Sequence, residues 1–186
     1  MLIDEAAAIG RLRAGEVVAL PTDTVYGLCV AVEAPDATAA LFAVKARPTS
    51  VALPVLVAEP SDALDYGRFT PLARRVTDAH WPGALTVVVA RVSASAPWDL
   101  GGDAETVGLR CPDDIALRRV IGSVGPLAVT SANRHGEPPC ATAAEVERAL
   151  PDVPVLDGGR RDGTPSTVVD LTGETVVVLR HGGVEL

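Results

Sequence analysis

Two basic side chains that could hold an anion stand close together in this sequence. Lys45 and Arg47 are two residues apart with no acidic residue between them, just where a predicted helix ends. Arginine offers a planar fork to a phosphate or carboxylate, and lysine offers a point charge. The pair indicates an anion site, and the alternative is an ordinary basic helix end stabilised by the helix dipole.

Hydroxyl and amide side chains recur at the ends of apolar runs. Residues 21–28 (Pro-Thr-Asp-Thr-Val-Tyr-Gly-Leu) directly follow the apolar residues 17–20, and they bring two threonines and a carboxylate within three residues. Residues 130–133 (Thr-Ser-Ala-Asn) follow another apolar run, and Ser166 opens a third. Polar groups at the ends of buried strands must find partners or face a cleft. The alternative is a set of turns in which these side chains bond to their own backbone.

Two further arginines end predicted strands. Arg110 follows a short apolar strand, and Arg180 closes the last one. A guanidinium at such a position can bind a carboxylate or a phosphate. The alternatives are a surface ion pair of Arg110 with Asp113 or Asp114, and a frayed terminus at Arg180.

The elements that must position these residues alternate between strands and helices. Helices are predicted at 4–14, 36–44, within 61–79, at 113–121 and at 142–150, and strands at 17–20, 53–58, 85–90, 107–109, 127–129, 153–156, 167–170 and 175–179. The segment 93–105 is rich in glycine, serine and aspartate, which predicts a mobile surface loop. Strands interleaved with helices and closed by a hairpin predict a mixed, twisted α/β sheet.

Composition restricts the class of protein. The chain has 186 residues, which suits one domain with a sizeable core, and only 3% are aromatic, so the core must be aliphatic. A net charge of −8 argues against nucleic-acid binding through the general surface but leaves room for a local anion pocket. Three widely spaced cysteines predict a reducing compartment without disulfides. The sequence shows neither a signal peptide nor an apolar run of membrane-spanning length, so we expect a cytoplasmic protein.

The order and spacing of eight segments resemble the YrdC/Sua5 family over nearly the whole chain. The segments are 21–28, 45–48, 53–57, 81–86, 108–112, 130–133, 165–170 and 179–180. The resemblance implies one YrdC-like domain over residues 1–186, with a twisted, mixed parallel and antiparallel sheet and flanking helices around a locally basic cleft. The chain resembles the short form of the family, so we expect no additional C-terminal Sua5 domain.

The same resemblance implies an activity and its ligands. Members make L-threonylcarbamoyladenylate from L-threonine, bicarbonate or CO₂, and ATP, with release of pyrophosphate, for the t6A modification of tRNA. A nucleotidyltransferase of this kind implies Mg²⁺ as cofactor, held through the ATP phosphates rather than by protein ligands. The implied partner is the threonylcarbamoyl transferase machinery for tRNA, and neither a membrane nor an extended nucleic-acid surface is expected.

The resemblance also implies a role for each candidate site residue. The implied threonine contacts are Thr24, Arg110 and Ser166, and the implied ATP contacts are Lys45, Arg47, Ser131, Asn133 and Arg180. Lys45 and Arg47 are the candidate catalytic residues, because they would neutralise charge developing on the phosphates. No cysteine is expected to act covalently.

Three positions depart from the usual family pattern. Val51 stands where lysine or asparagine is usual, His135 where serine is usual, and Pro139 where serine is common. Two alternative functions therefore stay open: a paralogue acting on another amino acid or carbamoyl substrate, and a non-catalytic module that binds RNA or a nucleotide. We expect either the loop 93–105 or a partner to cover the cleft.

Overall fold

The apolar runs of the sequence form the strands of one mixed sheet. The computed structural model describes residues 1–134, 136–161 and 163–186. The strands are β1 (Leu2–Ile3), β2 (Val18–Pro21), β3 (Tyr26–Ala31), β4 (Val55–Leu56), β5 (Gly67–Arg68), β6 (Leu85–Arg91), β7 (Thr106–Arg110), β8 (Leu127–Ser131), β9 (Val155–Leu156), β10 (Thr167–Asp170) and β11 (Val177–Arg180).

The strand order mixes both directions. It runs β1-β9-β2-β3-β8-β4-β7-β6-β10-β11, with β5 paired to β6. The pairs β1–β9, β2–β9, β4–β7 and β6–β10 are parallel, and the remaining pairs are antiparallel. The predicted mixed α/β sheet with its closing hairpin is confirmed.

Five α-helices flank the sheet within the described part of the chain. They are α1 (Glu5–Arg13), α2 (Ala37–Lys45), α3 (Pro71–His80), α4 (Ile115–Val124) and α5 (Ala143–Ala149). Side chains cap four of them: Asp4, Thr70, Asp114 and Thr142 each accept a hydrogen bond from a backbone N–H of the first turn. None of the described helices is long and apolar enough to cross a membrane.

The helices form two layers. Residues of α1 and α4 pack with Cys29 and Ala31 in one apolar cluster, while residues of α2 and α5 pack with Leu28 and Val30 in the other. Successive residues of a strand point to opposite faces, so the two clusters lie on opposite faces of the sheet. This arrangement buries both faces and explains why all six residues of β3 are buried.

One local prediction from sequence is wrong, and the strands β1, β3 and β5 were not predicted. The region 61–79 holds helices, as predicted: a 3₁₀ helix (Asp62–Asp65) and most of α3, with the strand β5 between them. The segment 93–105 is not a loose surface loop, since Trp98 and Leu100 are buried and the carbonyl of Leu100 accepts a hydrogen bond from the N–H of Leu53 at 2.8 Å.

Candidate functional site

One cleft gathers most of the residues singled out in the sequence. It encloses about 200 Å³ and opens over the face of the sheet, where residues of β3, β4, β6, β7, β8 and β11 line it. The cleft therefore extends across several strands of the sheet. Six of the eight predicted site residues line it: Thr24, Arg47, Arg110, Ser131, Ser166 and Arg180.

Arg110, the last residue of β7, is held on three sides. Its Nε donates to the carbonyl of Gly83 at 3.0 Å, its Nη1 to Oγ1 of Thr24 at 3.2 Å, and its Nη2 to Oδ1 of Asp23 at 2.6 Å. The side chains of Arg110 and Asp23 are 7% and 12% exposed, so this is a largely buried ion pair. A guanidinium has five N–H donors, which leaves Arg110 one N–H on each Nη for a ligand.

The alternative surface ion pair of Arg110 with a neighbouring aspartate does not form. Asp114 instead caps α4 and forms an ion pair with Arg161, with 3.0 Å between its Oδ2 and Nη2 of the arginine. The partner of Arg110 therefore comes from the segment after β2, far away in the sequence. Arg110 is thereby aimed into the cleft rather than along its own strand.

The hydroxyls of the two threonines after β2 are hydrogen-bonded to each other. Oγ1 of Thr22 donates to the carbonyl of Val25 at 2.7 Å and lies 2.9 Å from Oγ1 of Thr24. Because Thr22 has a single hydroxyl proton, Thr24 is the donor in the contact between them. The backbone turn and the cleft-facing site, set out as alternatives from sequence, occur together: Thr22 closes the turn, and Thr24 bonds to Arg110.

Ser166 and Arg180 meet where β10 begins and β11 ends. Nη2 of Arg180 donates to the carbonyl of Ser166 at 2.7 Å and to its Oγ at 3.1 Å, and Oγ of Ser166 lies 3.0 Å from Oγ1 of Thr86. The end of β11 is therefore fixed to the site by these hydrogen bonds. The frayed terminus considered for Arg180 is not found.

Lys45 ends α2 and is buried behind Ser131. Its Nζ donates to the carbonyl of Ser131 at 2.8 Å and to both the carbonyl and Oδ1 of Asn133 at 2.6 Å. These three acceptors match the three N–H groups of an ammonium. Lys45 and Asn133 thus shape the cleft wall through Ser131, although neither is among the cleft-lining residues.

Like charges and burial act on the cations of the site. Burial and the neighbouring charge of Arg47 lower the pKa of Lys45 to about 8. Burial, and then the charges of Arg110 and Arg47, lower the pKa of Arg180. These mutual influences place four cations in one small region, whereas the positive potential of the cleft itself stays a prediction.

Arg47 is oriented by the backbone that follows it. Its Nε and Nη2 donate to the carbonyls of Val51 and Ala52, each at 3.0 Å. The side chain of Val51, one of the positions that depart from the family pattern, is exposed and makes no polar contact, but its carbonyl helps to hold Arg47. Pro139 lines the cleft, and His135 lies outside the described residues.

Comparison with known proteins shows the family to which the chain belongs. A family model for Sua5/YciO/YrdC proteins, described as "Telomere recombination", matches residues 11–182. The chain belongs to the Sua5/YciO/YrdC family. A Mycobacterium tuberculosis protein is 40% identical over 183 residues, covering 96% of this chain and 83% of its own length.

Two named relatives are longer than this chain. A Bacillus subtilis protein named threonylcarbamoyl-AMP synthase is 37% identical over 98% of this chain, which spans 54% of the relative. The crystal structure of Pyrococcus abyssi Sua5 complexed with L-threonine superposes with a TM-score of 0.90 at 32% identity, covering 98% of this chain and 58% of that one. The chain thus spans little more than half the length of these two Sua5-type proteins.

Three residues of the candidate site were not assigned to it from sequence. Asp23 pairs with Arg110, Thr22 bonds to Thr24, and Thr86 bonds to Ser166. Asp23 and Thr22 lie inside the recognised segment 21–28, so the sequence indicated these residues but not their hydrogen-bond partners. Thr86 closes the segment 81–86, one of the eight that resemble the family, but its partner Ser166 lies 80 residues away in the sequence.

The segment 93–105 does not cover this cleft. All of its residues are described, and none of them lines the cleft. The side chain of Arg91 donates to the carbonyl of Trp98 at 2.8 Å, which ties the segment to β6. In this structure the loop 93–105 therefore does not close the cleft, and cover by a partner stays a prediction.

Proposed function

We propose that this chain makes L-threonylcarbamoyladenylate from L-threonine, bicarbonate or CO₂, and ATP, with release of pyrophosphate. The observation that carries the proposal is the division of one cleft into two kinds of cationic group. Arg110 is neutralised by Asp23, whereas Arg47 and Arg180 have no carboxylate partner in the described part of the chain. The names of the relatives and the threonine complex of P. abyssi Sua5 support the same assignment.

The neutralised end of the cleft suits an amino acid. A free amino acid is a zwitterion, so a site with no net charge binds it without leaving a charge uncompensated. The two remaining N–H donors of Arg110 would bind the α-carboxylate. The hydroxyls of Thr24, which is bonded to Arg110, and of Ser166, which lines the same cleft, would form further hydrogen bonds. We therefore assign Thr24, Arg110 and Ser166 to threonine.

The uncompensated end suits the phosphates of ATP. Arg47 and Arg180 offer guanidinium donors to phosphate oxygens, and Lys45 adds a buried positive charge behind Ser131. During the reaction, the threonine amine attacks CO₂ to form a carbamate, and a carbamate oxygen then attacks the α-phosphorus and displaces pyrophosphate. Fixed cations that neutralise the developing phosphate charge lower the barrier of the second step.

Magnesium would enter with ATP as part of the substrate. Mg²⁺ prefers carboxylate, water and phosphate oxygens, and no carboxylate lines the cleft among the described residues. We infer that the ion is held through the phosphates and spreads their charge. The residues of this chain position the phosphates around it.

No protein nucleophile is required, and the cysteines are unsuited to act as one. Cys29, Cys111 and Cys140 are all buried. Burial raises the pKa of each thiol, in the case of Cys111 to about 12. A thiol with a raised pKa holds little thiolate, which is the reactive form.

The product would be passed on to threonylcarbamoyl transferase machinery for the t6A modification of tRNA. This role predicts a cytoplasmic location, where the tRNA would be modified by that machinery. The net charge of −8 makes a direct, extended tRNA contact unfavourable, so we propose transfer of the small product rather than binding of the tRNA.

The deciding experiment measures pyrophosphate release from ATP with Mg²⁺ and bicarbonate, testing each amino acid in turn. Release that needs both threonine and bicarbonate is the expected result. Release with a different amino acid would favour a paralogue of the same fold. ATP or tRNA binding without any release would instead favour a non-catalytic module.

The affinity for ATP is expected to fall as the pH rises through the pKa of Lys45. That pKa is about 8, so the ammonium is fully charged at lower pH and loses its charge above this value. We expect the dissociation constant to increase roughly tenfold by about pH 9, if charged Lys45 is required for phosphate binding. Calorimetric titration at constant ionic strength would measure it.

A Lys45→Arg variant supplies the matched control for this pH dependence. The guanidinium stays charged throughout the range, so its ATP affinity should be flat with pH even if it is weaker. An identical fall in the wild-type chain and in Lys45→Arg would assign the pH effect to another group.

A further inference from the structure

Asp23 has one carboxylate oxygen committed and one available. Its Oδ1 accepts the 2.6 Å bond from Nη2 of Arg110. Its Oδ2 accepts no hydrogen bond from any residue within 1–134, 136–161 or 163–186, and it is not among the buried atoms that lack a partner. The free oxygen is therefore accessible from solvent beside the cleft.

The neighbours of Asp23 on both sides face the cleft. Thr22 and Thr24 both line it, and Thr24 shares Arg110 with Asp23. The Asp23–Arg110 pair is thus a rigid unit in which an anion and a cation lie side by side. Its two free functions are the Oδ2 acceptor and the remaining Nη donors of the guanidinium.

This pair is complementary in charge to an α-amino acid, with a guanidinium for its carboxylate and a carboxylate for its ammonium. In an α-amino acid the carboxylate and the amine are joined through a single carbon, so groups that bind them must also be adjacent. Arg110 can hold the carboxylate, and an acceptor next to it is then in reach of the amine. The serine and threonine hydroxyls of the lining are neutral, and the carboxylate bonded to Arg110 at its edge is that of Asp23, which lies between the lining residues Thr22 and Thr24.

We propose that Oδ2 of Asp23 accepts a hydrogen bond from the α-amine of the amino-acid substrate while Arg110 binds its α-carboxylate. The proposal rests on the proposed function, because it concerns the amino-acid end of that same cleft. Asp23 would orient the nitrogen that later attacks CO₂, and it would select α-amino acids over simple hydroxy acids. It is a binding residue in addition to being the partner of Arg110.

A comparison of two ligands separates this role from a purely structural one. L-Threonine and 3-hydroxybutanoate differ by the amine alone, and calorimetry without bicarbonate measures their binding to wild type and to Asp23→Asn. Asparagine keeps the size and can still accept the bond from Arg110. We expect the variant to lose about 10- to 100-fold in threonine affinity, while 3-hydroxybutanoate binds it equally well or better.

Two controls accompany the comparison. Asp114→Asn changes another largely buried aspartate whose arginine partner, Arg161, does not line the cleft, and it should alter neither affinity by more than about threefold. Within the wild-type chain, loss of the amine from the ligand should weaken binding by about tenfold or more. This second comparison holds even if Asp23→Asn folds poorly.

Equal losses for both ligands in Asp23→Asn, or no loss for either, would overturn the proposal and leave Asp23 as a support for Arg110. Equal wild-type affinity for the two ligands would overturn it as well. In each of these cases threonine still binds, and the proposed function stands. A chain that binds neither threonine nor any other α-amino acid would instead overturn the proposed substrate and the role of Asp23 together.

Discussion

Replacing Lys45 by methionine is expected to lower threonine-dependent pyrophosphate release roughly 100-fold or more. Methionine has similar length but cannot donate hydrogen bonds, so the carbonyls of Ser131 and Asn133 and the amide oxygen of Asn133 lose their common partner. The variant also removes a positive charge from the site. A steady-state assay together with an ATP titration would show whether the loss lies in binding, in turnover or in both.

Arg11→Met is a matched control for this change. Arg11 also lies in the last turn of a helix, but its ion pair with Glu16 is exposed and outside the cleft. Exposed pairs contribute about 0–1 kcal/mol, so its activity and stability should stay close to wild type. If Lys45→Met kept activity as close to wild type as Arg11→Met, the hydrogen bonds of Lys45 would not be needed for activity, and the prediction would be wrong.

Replacing Arg110 by methionine is expected to abolish threonine-dependent activity and to lower the free energy of unfolding by about 3–5 kcal/mol. The activity is lost because the proposed carboxylate-binding donors are removed. The stability is lost because Asp23 remains largely buried without its partner. Chemical denaturation and the pyrophosphate assay measure the two effects separately.

The double variant Asp23→Asn/Arg110→Met distinguishes these effects. Neutralising the orphaned carboxylate should restore most of the lost unfolding free energy, yet the activity should stay absent. Arg118→Met provides the comparison for a half-exposed pair, since Arg118 bonds to Glu59, which is 56% exposed. Full recovery of activity in the double variant would mean that Arg110 does not bind substrate.

Local sequence rules predicted the positions of most cleft residues but not their contacts. Lys45 at the end of α2, Arg110 at the end of β7 and Arg180 at the end of β11 all occur where strand and helix signals placed them. Those signals depend on neighbours in the chain, which the sequence displays directly.

The contacts depend on pairing between distant segments. Asp23, after β2, meets Arg110, at the end of β7, although β3, β8 and β4 lie between these strands in the sheet. The order and curvature of strands in a mixed sheet are not written in any local pattern. The same reason explains why Asp113 and Asp114, which are adjacent to Arg110 in the chain, were considered as its partners. Proximity in sequence was a poor guide where the sheet brings remote strands together.

The segment 93–105 shows how composition can mislead. Its glycines, serines and aspartates are typical of an exposed loop, yet two large apolar side chains within it anchor it to the core. Trp98 packs against Tyr66 with ring centroids 4.7 Å apart. Two buried side chains were enough to outweigh the polar majority of this segment.

The surroundings of Lys45 also determine whether the proposed product could acylate the protein itself. A threonylcarbamoyl adenylate is a mixed anhydride, which acylates unprotonated amines, and of the 16 lysines and arginines in this sequence Lys45 is the only lysine. Three oxygen acceptors hold this amine in place, but burial and the charge of Arg47 lower its pKa to about 8, so part of it is unprotonated near neutral pH. Lys45 is buried and does not line the cleft, so packing around the amine, rather than its charge, keeps it away from the reactive product.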